Sequence, residues 1–123
     1  MYTISKDFTF DAAHRLDGVP EGHKCARDHG HTYTVRVTLQ TPVLDGTGFV
    51  VDYTDLKALG RYIDEHFDHR HLNDVLDFNP TAEHLARHFY DWCRDRWPEV
   101  VAVSVAETPK TWATYSPLRS VTL

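Results

Sequence analysis

The chain has 123 residues, a length that provides one hydrophobic core and leaves no room for a second, so we expect one domain spanning residues 1–123. A net charge of -5, from 13 Lys and Arg against 18 Asp and Glu, argues against a nucleic-acid partner. Two distant cysteines, with no apolar run of membrane length and no signal-peptide pattern, predict a cytoplasmic protein without disulfides or a membrane partner.

The first two elements are predicted to be β-strands because their hydropathy alternates with a period of two. From Tyr2, the even positions are mostly apolar and end in His14, whereas the odd positions are polar. In the next strand the odd positions are apolar and begin with His29 and His31. A hairpin between the strands would bring these three imidazoles and Cys25 to one face.

Three neutral imidazoles suit zinc and leave one tetrahedral position open, which is typical of a catalytic site. Cys25 leaves two alternatives open. As a fourth ligand it would close the site and make the zinc structural, whereas off the metal it would be a thiolate base or nucleophile. In a third interpretation the pair His29 and His31 is only the polar end of a strand.

Basic residues gather around these candidate ligands. Arg15, Lys24 and Arg27 all lie within the predicted hairpin loop. They could form a cradle for an anionic group of a substrate, or they could simply be solvated.

Two amphipathic helices are predicted in the middle of the chain. The first follows a cap at Asp52, and the second begins at Pro80-Thr81, with Thr81 as its cap, and stops before Pro98. Between them lies a polar stretch from Asp68 to Asn73. The apolar stripes are Leu56, Leu59, Ile63 and Phe67 in the first helix, and Leu85, Phe89, Trp92 and Cys93 in the second.

The last third of the chain is predicted to be strand again. Val101, Val103 and Val105 alternate on one face, and Glu107 is next on that face. A carboxylate on a buried face needs a partner, although Glu107 could instead lie at a fraying strand end. With β-prone residues from Thr111 onward, the pattern predicts an α+β domain with an antiparallel sheet on one side and two helices on the other.

Six segments, in this order, resemble the 6-pyruvoyl-tetrahydropterin synthase family over nearly the whole chain. They are Phe10-Asp-Ala-Ala-His14-Arg-Leu16, Cys25-x-x-x-His29-Gly-His31, Gly48-Phe-Val-Val-Asp52, Asp68-His69-x-x-Leu72-Asn73, Pro80-Thr-Ala-Glu83 and Glu107-Thr108. The three-residue gap between Cys25 and His29 resembles the 6-carboxy-tetrahydropterin synthase branch, which acts in queuosine biosynthesis. The tail from Pro109 to Leu123 departs from the family pattern.

The resemblance implies a tunnelling fold, with a four-stranded antiparallel sheet, two helices on one face, and subunits joined into a β-barrel. It implies a homohexamer made of two trimers. It also implies a zinc-dependent lyase that converts 7,8-dihydroneopterin triphosphate to 6-carboxy-5,6,7,8-tetrahydropterin, acetaldehyde and triphosphate. The rival activities are the biopterin-type synthase, which eliminates triphosphate, and a non-catalytic pterin-binding domain stapled by zinc.

The family also implies a role for each matching residue. It implies that His14, His29 and His31 bind zinc and that Cys25 abstracts a proton. It also implies that Asp68 and His69 relay protons and that Glu107 anchors the pterin. The region of Thr81 is implied to approach the pterin as well. His71, two residues beyond His69, is interpreted as a loop histidine in solvent.

Overall fold

The computed structural model describes residues 1–117, which contain one five-stranded sheet. The strands are β1 (Tyr2–His14), β2 (His29–Thr41), β3 (Arg70–His71), β4 (Val100–Thr108) and β5 (Thr111–Tyr115), and their order in the sheet is β3-β1-β2-β4-β5. The α-helices are α1 (Lys57–His66), α2 (Leu72–Val75) and α3 (Ala82–Arg96), with 3₁₀ turns at Lys24–Ala26 and Tyr53–Leu56. The predicted α+β class is therefore confirmed.

Four strands are antiparallel, as predicted, but the sheet has a fifth. The two residues of β3 pair in parallel with Ala12 and Ala13 of β1, and α2 follows at once. Both elements lie in the stretch from Asp68 that carried no periodic signal. They form because the chain leaving α1 returns along the end of β1, where the His69 backbone N–H donates to the Asp11 carbonyl over 2.6 Å.

The core lies between one face of the sheet and the helices. The alternating faces of β1 and β2 are oriented as predicted, and the polar positions cover the opposite face. Both helical stripes are buried, although Trp92 is only partly so and stacks on Tyr62. Cys93 is in the core, and burial raises the pKa of its thiol to about 12.

One register prediction is wrong. Leu39 of β2 pairs with Val100, whereas Thr38 pairs with Ala102, so Val101 is an extra residue in β4. The bulge shifts the alternation by one position, and Val100 rather than Val101 is buried in the core. Beyond the bulge, Val103 and Val105 point inward as predicted.

Caps fix the beginnings of the helical segments. Asp52 accepts a hydrogen bond from the Thr54 backbone N–H over 2.8 Å, and Thr81 accepts one from the His84 N–H over 3.1 Å. Both caps were predicted from the sequence.

Among the described residues, no helix combines the length and hydropathy that crossing a bilayer requires.

We expect Thr81→Ala to lower the free energy of unfolding by about 1 kcal/mol, because one backbone N–H of the first turn of α3 loses its acceptor. Urea denaturation measures this change. Thr81→Ser keeps the hydroxyl and serves as the control. Equal stability of the two variants would show that the cap contributes nothing.

Candidate active site

Three imidazoles meet at the end of the β1–β2 ladder. His14 lies directly opposite His29 across the strand pair, and His31 is two residues further on the same face of β2. One ring nitrogen from each histidine lies within 4.8 Å of the others, and the Nε2 atoms of His14 and His29 are 2.9 Å apart. The parity of the two strands thus places the histidines together as predicted.

The outward nitrogens of two of these rings face backbone carbonyls. Nδ1 of His14 lies 2.9 Å from the Pro80 carbonyl oxygen, and Nδ1 of His29 lies 2.7 Å from the Arg27 carbonyl oxygen. Because a carbonyl only accepts, each Nδ1 carries the hydrogen and leaves the Nε2 lone pair facing the cluster centre. This is the tautomer that metal binding through Nε2 requires.

The cluster fits a zinc ion. Nε2 of His31 is buried and has no hydrogen-bond partner among the described residues. Burial is the main cause that lowers the pKa values of His14, to about 4, and of His31, so both rings are neutral at physiological pH. Lone pairs of neutral nitrogens that converge without a bridging proton repel each other. Zinc, which favours imidazole ligands, relieves that repulsion.

Cys25 lies beside this cluster and is not part of it. Within residues 1–117, the convergent ligand atoms at this site belong to the three histidines. The thiol is on the 3₁₀ turn Lys24–Ala26, where the Cys25 backbone N–H donates to Nδ1 of the His23 ring over 3.0 Å. A cavity of about 540 Å³ brings Cys25 together with Lys24, Arg27, His29, His31 and Glu107. The arrangement favours a free thiol over a fourth metal ligand.

Glu107 faces the histidines from the neighbouring strand. The pairing of Thr34 with Ala106 places Glu107 on the same face as Val105, as the strand parity predicted. Its Oε2 lies 3.7 Å from His31 Nε2, and its side chain is 25% exposed. Glu107 also lines a second cavity of about 360 Å³, which includes Thr81 and Trp112.

Asp68 and His69 form a pair, but outside the cavity of Cys25. Nδ1 of His69 lies 2.9 Å from Asp68, whose other oxygen accepts from the Asp11 backbone N–H over 2.9 Å. That N–H is the largest cause holding the pKa of Asp68 below its usual value, and His69 adds to it. His69 is 78% exposed and lines a separate cavity of about 610 Å³. The two cavities share Gly30 and His31.

The three basic candidates separate in the structure. Lys24 and Arg27 line the cavity of Cys25. Arg15 is not among its lining residues, and its guanidinium lies 3.7 Å from Asp28 and 4.0 Å from Asp17. Arg15 is therefore partly neutralised by carboxylates from its own loop.

His71 is not a solvated loop residue. It belongs to β3, is only 24% exposed, and its Nε2 lies 3.1 Å from Asp28 in the loop before β2. Its ring is the largest cause lowering the pKa of Asp28. The interpretation as a solvent-exposed histidine was wrong because nothing in the local pattern around residue 71 indicates the pairing of β3 with β1.

Two groups that orient His14 were missed from the sequence. The Tyr33 hydroxyl lies 3.0 Å from Nδ1 of His14, next to the carbonyl of Pro80. Tyr33 follows His31 on the same strand face, so the parity could have identified it. The carbonyl of Pro80 carries no sequence signal, because any residue would supply one.

The chain is similar to known proteins over nearly its whole length. A sequence model of the family described as 6-pyruvoyl tetrahydropterin synthase matches residues 3–117. The 6-carboxy-5,6,7,8-tetrahydropterin synthase of Bacillus subtilis is 36% identical over 94% of this chain and 86% of its own. The protein of that name from Synechocystis is 38% identical, over 94% and 93%.

Relatives from animals are similar as well. A 6-pyruvoyl tetrahydrobiopterin synthase of Drosophila melanogaster is 33% identical over 91% of this chain and 77% of its own. The structure of Caenorhabditis elegans 6-pyruvoyl tetrahydropterin synthase superposes with a TM-score of 0.83 and 27% identity, over 95% of this chain and 96% of that one. The predicted tunnelling fold of the subunit is thereby confirmed, and the chain belongs to the 6-pyruvoyl tetrahydropterin synthase family.

Proposed function

We propose that this pterin synthase is a zinc-dependent lyase that converts 7,8-dihydroneopterin triphosphate to 6-carboxy-5,6,7,8-tetrahydropterin, acetaldehyde and triphosphate. The observation that carries the proposal of a metal-dependent reaction on a pterin is the free thiol of Cys25 beside three convergent imidazoles, in one cavity with Glu107. The names of the bacterial relatives support this reaction. The product would serve queuosine and 7-deazaguanine biosynthesis in the cytoplasm.

A second candidate reaction is elimination of triphosphate with the carbon chain intact. The relative from Drosophila, at 33% identity, carries the name of a biopterin-type synthase. Both reactions use a metal, a base and a pterin anchor, so the groups in the cavity are compatible with either. Analysis of the products distinguishes them.

His14, His29 and His31 would hold the zinc through Nε2. When bound, zinc would act as a Lewis acid towards oxygens on the substrate side chain and so make the neighbouring C–H groups more acidic. The carbonyls of Pro80 and Arg27 keep the rings of His14 and His29 oriented.

Cys25 is proposed as the base that takes the proton from carbon. The thiol lies within the cavity and outside the group of convergent nitrogens, so it remains free to react. Lys24 and Arg27 line the same cavity and can attract the triphosphate. Arg15, held near Asp28, would contribute only at the periphery.

Glu107 is proposed as the anchor of the pterin ring. Its two oxygens can accept two hydrogen bonds from the aminopyrimidine edge. The half-buried position makes such a pair stronger than it would be in water. Thr81, which lines the neighbouring cavity with Glu107, would flank the ring, although its hydroxyl already caps α3.

We propose that Asp68 and His69 relay protons within a homo-oligomer, a hexamer made of two trimers. Because His69 is exposed and outside the cavity of Cys25, it would act on a substrate that extends past His31 or that a neighbouring subunit holds. Within the described residues, β1 from Tyr2 to Asp11 has no strand on its β3 side, and β5 has a single neighbour. Such edges favour pairing between subunits into the proposed barrel.

We expect His29→Ala to abolish stoichiometric zinc binding, because two imidazoles cannot replace the set of three. Metal analysis of chelator-washed, reloaded protein measures this. His66→Ala, on the exposed side of α1, is the control and should bind zinc normally. Full zinc content in His29→Ala would show that the ligand set is wrong.

Cys25→Ala should keep its zinc and thermal stability while it loses turnover, since a base outside the metal's ligand set can be removed alone. The reciprocal control is Cys93→Ala, which removes a core thiol and should lower stability while the folded fraction keeps turning over. If zinc is lost from Cys25→Ala, the thiol is a ligand and the zinc-stapled, non-catalytic alternative gains support.

Glu107→Gln should weaken pterin binding by about 2 kcal/mol or more, because its amide would place a donor opposite donors of the pterin. Calorimetric titration with a pterin analogue measures the affinity. Glu65→Gln, on the exposed surface of α1, should bind as the wild type does. Unchanged affinity in Glu107→Gln would exclude the anchoring role.

The reaction itself is tested by incubating the zinc-loaded protein with dihydroneopterin triphosphate. We expect acetaldehyde to appear in step with a carboxylated tetrahydropterin, monitored by an aldehyde-coupled assay and mass spectrometry. A pyruvoyl pterin without acetaldehyde would assign the chain to the biopterin-type reaction.

A further inference from the structure

The segment immediately after β1 is held by side chains that imitate a neighbouring strand. Asn73 accepts the Arg15 backbone N–H at Oδ1 over 2.9 Å and donates from Nδ2 to the Arg15 carbonyl over 3.1 Å. Asn79 does the same for Asp17, with both hydrogen bonds at 2.9 Å. Each amide therefore satisfies both backbone groups of one residue.

Asparagine is suited to this task because its amide offers a donor and an acceptor in one plane, as a peptide group does. Strand β3 pairs with β1 only at Ala12 and Ala13, after which the chain turns into α2. The two amides continue the hydrogen-bonding ladder along the same edge where the backbone of β3 has left it. The chain contains two asparagines, and both are used in this way.

Leu16, which lies between Arg15 and Asp17, makes its backbone hydrogen bond with a different segment of the chain. The Leu16 backbone N–H donates to the Cys25 carbonyl over 2.7 Å. Three consecutive N–H groups are thus fixed, two by the asparagines and one by Cys25. The position of the thiol relative to His14, at the end of β1, depends on how firmly the segment Arg15–Asp17 is held.

The geometry points to Asn73 and Asn79 as positioning residues that set the place of the Cys25 thiol beside the histidine cluster. Neither amide contacts the cavity of Cys25, so they act through the backbone of Arg15–Asp17. Asn79 has a further link to the site, because the carbonyl of the next residue, Pro80, orients His14. The catalytic consequence of this positioning rests on the proposed role of Cys25 as the base.

The test uses Asn73→Asp in the zinc-loaded full-length protein. A carboxylate keeps an acceptor for the Arg15 N–H but loses the donor, and its second oxygen repels the Arg15 carbonyl. Alkylation of Cys25 by iodoacetamide at fixed pH should become about three- to tenfold faster, the range expected when one hydrogen bond is lost. Because Cys93 is buried in the core, Cys25 is the thiol that reports.

Two further measurements separate positioning from general loosening. Deuterium exchange should increase in peptides covering residues 15–17, and kcat should fall by a similar factor. KM and zinc content should stay close to wild type, and Tm should fall by only a few degrees. Asp74→Asn is the matched control, since Asp74 is the exposed neighbour of Asn73 in α2, and it should change none of these. If Asn73→Asp does not fold, Asn79→Asp makes the same change in the asparagine that binds the backbone of Asp17.

Unchanged alkylation and exchange in the folded Asp variants would overturn the inference, as would an equal change in Asp74→Asn. A lower Tm with loss of zinc and no change in the alkylation rate would also overturn it, because the amides would then have only a structural role. Alkylation and exchange do not require turnover. If the wild type fails to convert the pterin, the proposed function fails. Alkylation and deuterium exchange would still decide whether Asn73 and Asn79 position the thiol.

Discussion

The register between β1 and β2 is the constraint on which the site depends. It places His14 opposite His29 and turns both towards the core, with His31 beside them. A slip of one residue would move a histidine from one strand onto the polar face and separate the ligands. The register is held from both faces, by Phe10 stacked on Tyr33 at 4.8 Å inside and by the paired hydrogen bonds of Arg36 to Asp7 outside.

Burial of the histidine cluster excludes water from it but lowers the stability of the metal-free protein at acidic pH. His14 is fully buried, and its depressed pKa means that the folded protein resists protonation there. Since the unfolded chain takes up that proton more readily, the metal-free protein loses stability as pH falls from 6.5 towards 4. A core of buried valines and leucines on the same strands offsets this cost, and a bound cation would remove the repulsion between the nitrogens.

The elements that the sequence predicts well are those encoded by local periodicity. The alternation ending at His14, the helical stripes and the caps at Asp52 and Thr81 each involve residues close in sequence, and the structure confirms them. The pairing of β3 with β1 and the bulge at Val101 depend on chain reversal and sheet geometry, which leave no periodic trace. The ligand set could be proposed from parity because each histidine continues an apolar alternation.

What the sequence could not predict are contacts between distant segments. Asn73 lies 58 residues from Arg15, and the carbonyl of Pro80 lies 66 residues from His14. His71 is 43 residues from Asp28. Each of these contacts uses a single polar group, which no pattern of hydropathy reveals. They arise because β3, α2 and the segment before α3 lie against the end of β1 and the loop after it, so the loop carrying Cys25 is shaped by residues from the middle of the chain.

His69 and Cys25 line different cavities, and Gly30 lies where these two cavities meet. Gly30 lies between two of the histidines and lines both the cavity of Cys25 and that of His69. The fold does not demand a glycine, because an added Cβ would meet the Ala12 carbonyl oxygen at an ordinary 3.7 Å and the backbone has no positive φ there. A side chain would instead add its atoms to the wall that the two cavities have in common. At residue 30 only backbone therefore lines the two cavities, which favours the proposed action of Cys25 and His69 on one substrate.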